Sequence, residues 1–359
     1  MPSAAELDAM RRAIALAAKE SPHPNPRVGA VLLDARGEVI GQGGHEGPGR
    51  PHAERNALPP DSPVPPGASL VVTLEPCDHH GRTPPCTEAI LAAGVRRVVV
   101  GATDPDPAVS GRGIERLRSA GVEVETGVLA DEVEAMDPAY FLHRRMGRAH
   151  FTLKQATTLD GQTAAADGTS RWITGDEARA DVHLLRSRVD AVMVGAGTLR
   201  NDDPRLDVRL PDYSGPQPIP IVVVGDREPP EDARLWKNPA ALVFTARQLD
   251  LTVEVVQVPP DPEGKPDLRT VAAVLGERGI LDVMVEGGAR LAASLWEADL
   301  VDRGITYLAA TMAGGVGTPA FDRSWKTLAE ARRVEIRSVT RIGADLRIDW
   351  RPNREGTSA

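Results

Sequence analysis

Three kinds of residue are scarce in this chain of 359 residues. It has only two cysteines, aromatic residues make up 3% of it, and 42 basic residues are outnumbered by 51 acidic ones, for a net charge of −9. A nucleic-acid surface needs a basic face and stacking rings. The acidic net charge and the low aromatic content therefore argue against nucleic-acid binding. No apolar run approaches the roughly 20 residues that span a bilayer. We therefore predict a small-molecule substrate, with no nucleic-acid partner and no membrane.

We also expect no export signal. The first 20 residues contain no uninterrupted apolar segment. Their pattern predicts an amphipathic helix, with Ser3 and Glu6 as a capping box at its start. This favours the cytoplasm, where two thiols indicate metal binding or catalysis more than a disulfide.

What the chain does contain is a repeated alternation of strand and helix patterns, which predicts the α/β class. Its length favours two domains, and the basic stretch HRRMGRAH at 143–150 marks a boundary between domains 1–147 and 148–359. In the first domain we predict strands at 28–34, 69–75, 96–102 and 122–128, and helices near 4–20, 52–58, 86–93, 111–120 and 130–145. In the second we predict strands at 151–156, 189–195, 220–225, 240–244, 253–258 and 281–288, helices at 268–278 and from Ala289, and a frayed tail at 351–359.

Both cysteines, Cys77 and Cys86, lie in TLEPCDHHGRTPPC at 73–86, and PHAE upstream adds His52 and Glu54. A catalytic zinc site takes three protein ligands and leaves one position for water, and one histidine with two cysteines supplies that number. The zinc ion would lower the pKa of its water to about 7. Glu54 would then carry the water's proton to a departing amine.

The motif H-x-E followed by P-C-x-x-C is the signature of zinc nucleobase deaminases. Here eight residues separate the two cysteines, which marks a subgroup. Two other interpretations stay open: a structural zinc site closed by His79 or His80, or two cysteines that only pack. The presence of both H-A-E and P-C favours the catalytic site.

The second half has no dinucleotide-binding fingerprint, since Gly195-Ala-Gly197 lacks a third glycine at the required offset. VEGGARLAASLWEADL is more informative. A buried strand there delivers Gly287 and Gly288 to a helix N-terminus, where backbone N–H groups can hold a phosphate. A tight helix-capping turn explains the same glycines equally well.

With these motifs in place, the chain resembles a known family, the bifunctional deaminase/reductases of riboflavin biosynthesis. The deaminase half is matched by HPNPRVGAVL (23–32), GRPHAE (49–54), TLEPCDHHGRTPPC (73–86) and GATDPDPAVSGRG (101–113). The reductase half is matched by LKQATTLDGQTA (153–164), SRWIT (170–174), GAGTLRNDDPRL (195–206) and VEGGARL (285–291). The resemblance covers essentially the whole chain. It implies a cytidine-deaminase-like αβα domain followed by a dihydrofolate-reductase-like α/β domain.

The resemblance also implies the reaction. The substrate would be a phosphoribosyl pyrimidine derived from GTP, 2,5-diamino-6-(5-phosphoribosylamino)pyrimidin-4(3H)-one. Its ring would be deaminated hydrolytically with the help of Zn²⁺, one ion per chain, and its ribosyl chain would then be reduced to ribityl with NADPH. The residues by themselves do not choose between NADPH and NADH. We also expect a homo-oligomer, a dimer or a tetramer.

Carried over residue by residue, the resemblance gives the zinc ligands and proton carrier named above. It adds substrate contacts in the first half at Asn25, His45 and Arg82. Asn25 lies between two prolines that would aim its amide, although a plain turn residue is the alternative. Asp106 departs from the family, which usually has Asn at that position, whereas Asp104 is kept. A contact from this loop is therefore left open.

In the second half the resemblance implies two sets of contacts. Substrate contacts fall at Ser170, Arg186, Leu206, Arg209 and Glu286. Cofactor contacts fall at Ala156, Trp172, Thr198, Asp202, Gly288, Ala289, Arg290, Leu291, Ala292, Ala293 and Ser294. Two arginines, Arg186 and Arg209, could grip a phosphate together. Lys154 is the candidate proton source, with a solvated lysine at a strand edge as the alternative.

Two rival functions use the same residues. One is a zinc-dependent nucleoside or tRNA deaminase with an accessory nucleotide-binding domain. The other is a non-catalytic protein that binds zinc and nucleotide. The acidic charge and the paired arginines count against the first, and Glu54 beside a three-ligand site counts against the second.

Overall fold

The computed structural model describes residues 1–60, 62–81, 83–107, 109–315, 317–323 and 326–353. The chain divides into two compact units, Met1–Gly147 and Arg148–Ala359. Both units alternate strands with helices, as the sequence pattern predicts. Over the described residues, no helix combines the length and the apolar character needed to cross a membrane.

The first unit is built on one five-stranded sheet. Its helices are α1 (Ala4–Ala17), α2 (Ala53–Ala57), α3 (Cys86–Ala92), α4 (Arg112–Ser119), α5 (Ala130–Met136) and α6 (Pro138–Met146). Its strands are β1 (Gly29–Leu33), β2 (Val39–Gly44), β3 (Ser69–Leu74), β4 (Arg97–Ala102) and β5 (Glu123–Thr126). The strand order is β2-β1-β3-β4-β5. β1 runs antiparallel to β2 and β3, and β3, β4 and β5 are parallel.

Every residue of β1 and β3 is buried, as expected for central strands that are covered on both faces. Two glycines allow the covering helices to pack closely. A Cβ atom on Gly29 would lie 2.0 Å from the Ala13 carbonyl oxygen of α1, and one on Gly41 would lie 2.1 Å from the Ala57 carbonyl oxygen of α2. The second contact holds α2 against the sheet, and with it His52, the residue immediately before α2.

The structure confirms one local prediction in this unit and corrects two. Ser3 and Glu6 do form the predicted capping box of α1. Strand β2 was not predicted, because none of its residues is buried and three are glycine. The single helix predicted over 130–145 is two helices that meet at Asp137. Pro138 cannot donate the backbone hydrogen bond of a continuous helix and instead occupies the first position of α6.

The second unit is built on a nine-stranded sheet and a small two-stranded one. Its strands are β6 (His150–Thr157), β7 (Gln162–Ala164), β8 (Ala191–Gly195), β9 (Ile219–Val224), β10 (Leu242–Thr245), β11 (Glu254–Gln257), β12 (Asp282–Val285), β13 (Arg303–Leu308), β14 (Thr318–Pro319), β15 (Val334–Ile342) and β16 (Asp345–Pro352). Its helices are α7 (Asp176–Arg186), α8 (Ala196–Asp202), α9 (Leu268–Glu277) and α10 (Ala289–Glu297). The large sheet has the order β11-β10-β9-β8-β12-β6-β13-β16-β15, and β14 pairs with β7.

The seven strands from β11 to β13 are parallel to one another, and the β15–β16 hairpin adds antiparallel to β13. Side chains alternate between two apolar clusters, one on each face: Phe151 and Met193 belong to one, Val192 and Met284 to the other. Because the central strands are parallel, their carboxyl ends meet at one edge of the sheet. Ligand sites of open α/β sheets lie at that edge.

Five strands of this unit, β7, β13, β14, β15 and β16, were not predicted. Most residues of β15 are exposed, so apolar alternation is weak there, and its strand conformation depends on antiparallel pairing with β16. β16 also corrects the predicted tail at 351–359, since the strand continues to Pro352. Residues 354–359 lie outside the described part of the chain.

Candidate active sites

The predicted zinc ligands come together in the first unit. His52 immediately precedes α2, Cys77 follows the end of β3, and Cys86 is the first residue of α3. His52 Nδ1 lies 3.2 Å from Cys86 Sγ and 3.6 Å from Cys77 Sγ. All three ligand atoms fall within 4.8 Å of one another. Three segments that are separate in sequence therefore aim one nitrogen and two sulfurs at the same point.

The chemistry of this donor set suits zinc. Two sulfurs with one imidazole nitrogen are ligands that zinc prefers. A hydrogen bond from the Cys86 thiol, helped by the His52 ring, lowers the pKa of Cys77 to about 4, which favours the thiolate form that binds metal. His79 and His80 are exposed, and neither belongs to the metal-ligand cluster found among the described residues. A four-ligand structural site closed by one of them therefore has no support.

Glu54, two residues after His52, lies in the first turn of α2 and is buried. Burial raises the pKa of Glu54 to about 7, and the negative charge of Cys77 adds to the shift. Such a value suits a group that both takes and gives a proton near neutral pH. The H-x-E spacing thus places a carboxyl group of matched pKa next to the three-ligand cluster.

Asn25 and His45 form a chain of contacts that ends beside the zinc ligands. The Asn25 side-chain amide donates to His45 Nε2 at 3.0 Å, and His45 Nδ1 donates to the Pro51 carbonyl oxygen at 3.1 Å. The His45 ring meets the His52 ring edge-on, with centroids 5.0 Å apart. Arg82, the third predicted substrate contact of this half, lies outside the described residues.

Two contacts of this site were missed by sequence reasoning. Thr83 Oγ1 lies 3.2 Å from His52 Nε2, so the hydroxyl can accept the ring N–H and turn Nδ1 toward the sulfurs. Glu75, two residues before Cys77, is buried and accepts hydrogen bonds from four backbone N–H groups: Asp104, Gly111, Gly113 and Ile114. A glutamate in the TLEPC motif was the available signal for the second contact, but only the fold shows which segment it holds.

The segment held by Glu75 contains Asp106, the residue that departs from the family. Asp106 forms an ion pair with Arg144 of α6 at 3.4 Å. Nearby Asp104 accepts from the Tyr140 hydroxyl at 3.1 Å, and burial raises the pKa of Asp104 to about 6. An acidic residue at position 106 thus has a cationic partner within its own unit.

The second unit contains a cleft of about 1130 Å³ at the carboxyl ends of its parallel strands. Nearly all predicted reductase residues line it: Lys154, Ala156, Ser170, Trp172, Arg186, Thr198, Asp202, Leu206, Arg209, Glu286, Gly288, Ala289, Arg290, Leu291 and Ser294. The predicted cofactor contacts Ala292 and Ala293 do not line it. Both are buried, since a helix turns about 100° per residue and a continuous run of α10 cannot face one cleft.

A largely buried charge cluster lines this cleft. Arg186 binds Glu286 with two hydrogen bonds, Nε to Oε1 at 2.6 Å and Nη2 to Oε2 at 3.0 Å, and Lys154 Nζ lies 3.9 Å from Glu286 Oε2. Although burial opposes ionisation, the charges of Arg186 and Lys154 lower the pKa of Glu286 to about 2. Burial also lowers the pKa of Lys154. Lys154 is in β6, between β12 and β13, so the alternative of a solvated lysine at a strand edge is wrong.

The cluster changes the interpretation of the two arginines predicted to grip a phosphate. Arg186 is buried and directs its hydrogen bonds to Glu286 and to the Asp207 carbonyl oxygen. Arg209 is about half exposed and pairs with the Asp207 carboxylate. The structure therefore leaves Arg209 as the more accessible of the two, while Arg186 first neutralises a buried carboxylate.

Two helices begin at this cleft with glycine. Gly195 precedes α8 and Gly288 precedes α10, and neither helix has a side-chain cap. A Cβ on Gly287 would lie 2.8 Å from Leu291 Cδ2, and one on Gly288 would lie 3.5 Å from Thr198 Oγ1. The glycines thus form a tight turn and also leave backbone N–H groups open to the cleft, which suits the phosphates of a dinucleotide.

These features define the class: a zinc-dependent deaminase domain of the cytidine-deaminase type followed by a reductase domain. Residues 4–102 match the family model of the cytidine and deoxycytidylate deaminase zinc-binding region, and residues 149–348 match the model of the RibD C-terminal domain. The riboflavin biosynthesis protein RibD of Aquifex aeolicus is 39% identical over 345 residues, which cover 94% of this chain and 96% of that protein.

Solved structures agree with these matches. RibD of Acinetobacter baumannii has a TM-score of 0.88 at 34% identity, covering 98% of this chain and 99% of that one. The Thermotoga maritima diaminohydroxyphosphoribosylaminopyrimidine deaminase/5-amino-6-(5-phosphoribosylamino)uracil reductase has a TM-score of 0.85 at 33% identity, covering 97% and 99%. The chain belongs to the RibD family of bifunctional riboflavin-biosynthesis enzymes. The predicted fold class is confirmed.

Membership of the RibD family establishes the function at the level of the family. The protein is an enzyme of riboflavin biosynthesis that acts on a small molecule, with a zinc-binding deaminase domain and a reductase domain that uses NADPH. The two rival functions, a nucleoside or tRNA deaminase and a non-catalytic binding protein, are therefore set aside.

Proposed function

We propose that domain 1–147 deaminates 2,5-diamino-6-(5-phosphoribosylamino)pyrimidin-4(3H)-one and that domain 148–359 reduces the ribosyl chain of the product to ribityl. The observation that carries the first step is the convergence of His52, Cys77 and Cys86 within 4.8 Å beside buried Glu54. The Thermotoga maritima relative is named for both steps.

In the deaminase, His52, Cys77 and Cys86 would hold the zinc ion. When bound, zinc supplies an activated water for hydrolysis. Glu54 takes a proton from the attacking water and delivers it to the departing amine, so that C–NH2 becomes C=O and ammonia leaves. Asn25, His45 and Arg82 would contact the substrate around its pyrimidine ring and ribose phosphate.

In the reductase, NADPH supplies the hydride. The glycine-led starts of α8 and α10, with Thr198 between them, would hold its phosphates, and Ala156, Trp172 and Asp202 would contact the rest of it. Lys154 supplies the proton, and Glu286 and Arg186 fix the position of its ammonium group. Arg209 contacts the substrate phosphate, while Ser170 and Leu206 line the substrate end of the cleft.

Two further properties belong to this proposal. A homo-oligomer, a dimer or a tetramer, is supported by exposed Ile336 and Val339 on β15, an edge strand. Sedimentation equilibrium of the chain and of Ile336→Lys measures it. A cytoplasmic location without nucleic-acid partners is supported by two free thiols and by the net charge of −9.

One assay tests the whole proposal. Purified protein receives the diaminopyrimidinone phosphate, and ammonia release and NADPH oxidation are followed in the same sample. We expect one ammonia per NADPH consumed, with ammonia appearing first. Ammonia release without any NADPH oxidation would contradict the proposed reduction step. NADPH oxidation without ammonia release would contradict the proposed order, in which deamination comes first.

A further inference from the structure

We propose that Asp137 is a positioning residue of the deaminase. Its carboxylate would fix the HPNPR segment and so aim Asn25 at the substrate. This inference rests on the substrate contact proposed above for Asn25. Asp137 lies outside every motif that indicated the function, and 112 positions separate it from Asn25 in the chain.

Asp137 holds the HPNPR segment on both sides of Asn25. Its Oδ2 accepts the backbone N–H of Arg27 at 2.8 Å, and its Oδ1 lies 3.1 Å from His23 Nε2. Asp137 is 1% exposed. The two held residues are each two positions from Asn25, so the carboxylate fixes both ends of the short turn that carries the amide.

The side chain of Asp137 serves this segment and not its own helix. It occupies the residue before α6, where an aspartate commonly accepts hydrogen bonds from the first N–H groups of the helix. Here the side chain makes no capping hydrogen bond. Both oxygens contact residues 23 and 27 instead. A role in capping α6 does not explain these contacts.

The effect can reach the zinc site by direct contacts. Asn25 donates to His45 at 3.0 Å, and His45 in turn donates to the carbonyl oxygen of Pro51, the residue before His52. HPNPR contains no helix or strand of its own, so no backbone ladder fixes Asn25. Loss of the Asp137 contacts would leave the amide free to shift, and a misplacement of about 1 Å can cost a hundredfold in rate.

The test is a double-mutant cycle in the full chain with Asp137→Ala, Asn25→Ala and the double variant. Deaminase kcat and KM come from ammonia release, zinc is measured by metal analysis, and reductase activity on the deaminated intermediate reports the other unit. We expect Asp137→Ala to lower deaminase kcat/KM about 10- to 100-fold with zinc content and reductase activity unchanged. The double variant should be no slower than Asn25→Ala alone, because both changes disable one contact.

Two further variants complete the design. Glu134→Ala removes a partly exposed carboxylate of α5 that pairs with Arg145 and should leave deamination unchanged. Asp137→Asn keeps the size and one acceptor for Arg27 N–H, so it should lose less activity than Asp137→Ala and is the variant to use if the latter fails to fold.

The outcomes separate this inference from the function on which it rests. Normal deamination by Asn25→Ala would remove the proposed substrate contact and the inference with it. An impaired Asn25→Ala beside a normal Asp137→Ala would overturn the positioning role alone. Additive losses in the double variant would also overturn it, since Asp137 would then act through another group.

Discussion

Two glutamates, one in each unit, have opposite properties: Glu54 is buried and Glu286 is largely buried. The pKa of Glu54 is raised to about 7 and that of Glu286 is lowered to about 2, although burial pushes both upward. The difference lies in the nearest charges. Glu54 is close to the anionic Cys77, whereas Glu286 is between Arg186 and Lys154. Burial alone therefore does not decide how readily a carboxyl group ionises. The neighbouring charges place the pKa of Glu54 near neutral pH and keep Glu286 ionised there.

The two sites also differ in how they are assembled. The deaminase cluster takes its ligands from three segments within 35 positions, 52–86, each at the end of a helix or strand. The reductase cleft draws on strand ends and loops from Lys154 to Asp322. A metal site is specified by a few side chains, whereas the shape of a dinucleotide cleft is determined largely by the backbone. Separate sites predict that each half can be disabled alone.

The largest expected effect is the loss of the metal. Cys86→Ser replaces a soft sulfur ligand by a hydroxyl, so we expect the chain to lose its zinc and all deaminase activity. Reductase activity on the deaminated intermediate should be unchanged. Metal analysis together with both assays checks this. Full zinc occupancy in the variant would exclude Cys86 as a ligand and reopen a site closed by His79 or His80.

Next comes Glu54→Gln. The amide cannot carry a proton, so deaminase kcat should fall by about 10²- to 10⁴-fold while zinc content and melting temperature stay normal. Glu88→Gln, an exposed glutamate on α3, is the matched control and should have no effect. Loss of both activities in Glu54→Gln with normal zinc would contradict two separate sites and require one composite site.

The third prediction concerns stability in the second unit. Glu286→Gln leaves Arg186 without its anionic partner in a buried position, which should lower the free energy of unfolding by about 3–5 kcal/mol. All five tryptophans lie after residue 147, so tryptophan fluorescence in urea reports this unit alone. Glu297→Gln, which breaks the exposed pair with Arg323, should cost less than about 1 kcal/mol. Equal losses would show that the buried cluster contributes no more than a surface ion pair.

A pH dependence follows from the same glutamate. Its folded pKa of about 2 lies below the ordinary value of 4.5, so its stabilising contribution is present above pH 4.5 and is lost as pH falls toward 2. The contribution is on the order of 3 kcal/mol. Urea unfolding by tryptophan fluorescence between pH 2 and 5 should show this loss in the wild type and a flatter profile in Glu286→Gln. Parallel profiles would assign the acid sensitivity to other carboxylates.

The smallest effect is expected for Arg209→Ala. Arg209 is half exposed and already pairs with Asp207, so its loss should raise the reductase KM for the phosphorylated substrate only about tenfold, with NADPH affinity unchanged. Arg200→Ala on α8 is a control arginine outside the cleft. A similar KM increase for the dephosphorylated substrate would show that Arg209 does not contact the phosphate.

Much of the fold was predictable because its central strands are continuous apolar runs. β3, β4, β8 and β12 all lie within predicted strands. The edge strands β2 and β15 were not predicted, since strands with exposed faces have little apolar pattern and depend on a neighbour for their hydrogen bonds. The break at Asp137 carried a signal in Pro138 that the helical pattern around it obscured.

By itself the sequence determined the ligands that can hold zinc and the glutamate beside them, because these groups are recognised by type and by short spacings within a motif. It also determined that two α/β units follow one another. Only the tertiary structure decided which partner each buried polar group has: Arg186 with Glu286, Glu75 with the loop at 104–114, and Asp137 with the turn around Asn25. A buried carboxylate must find donors wherever the fold brings them, and those donors are tens of residues away in the chain.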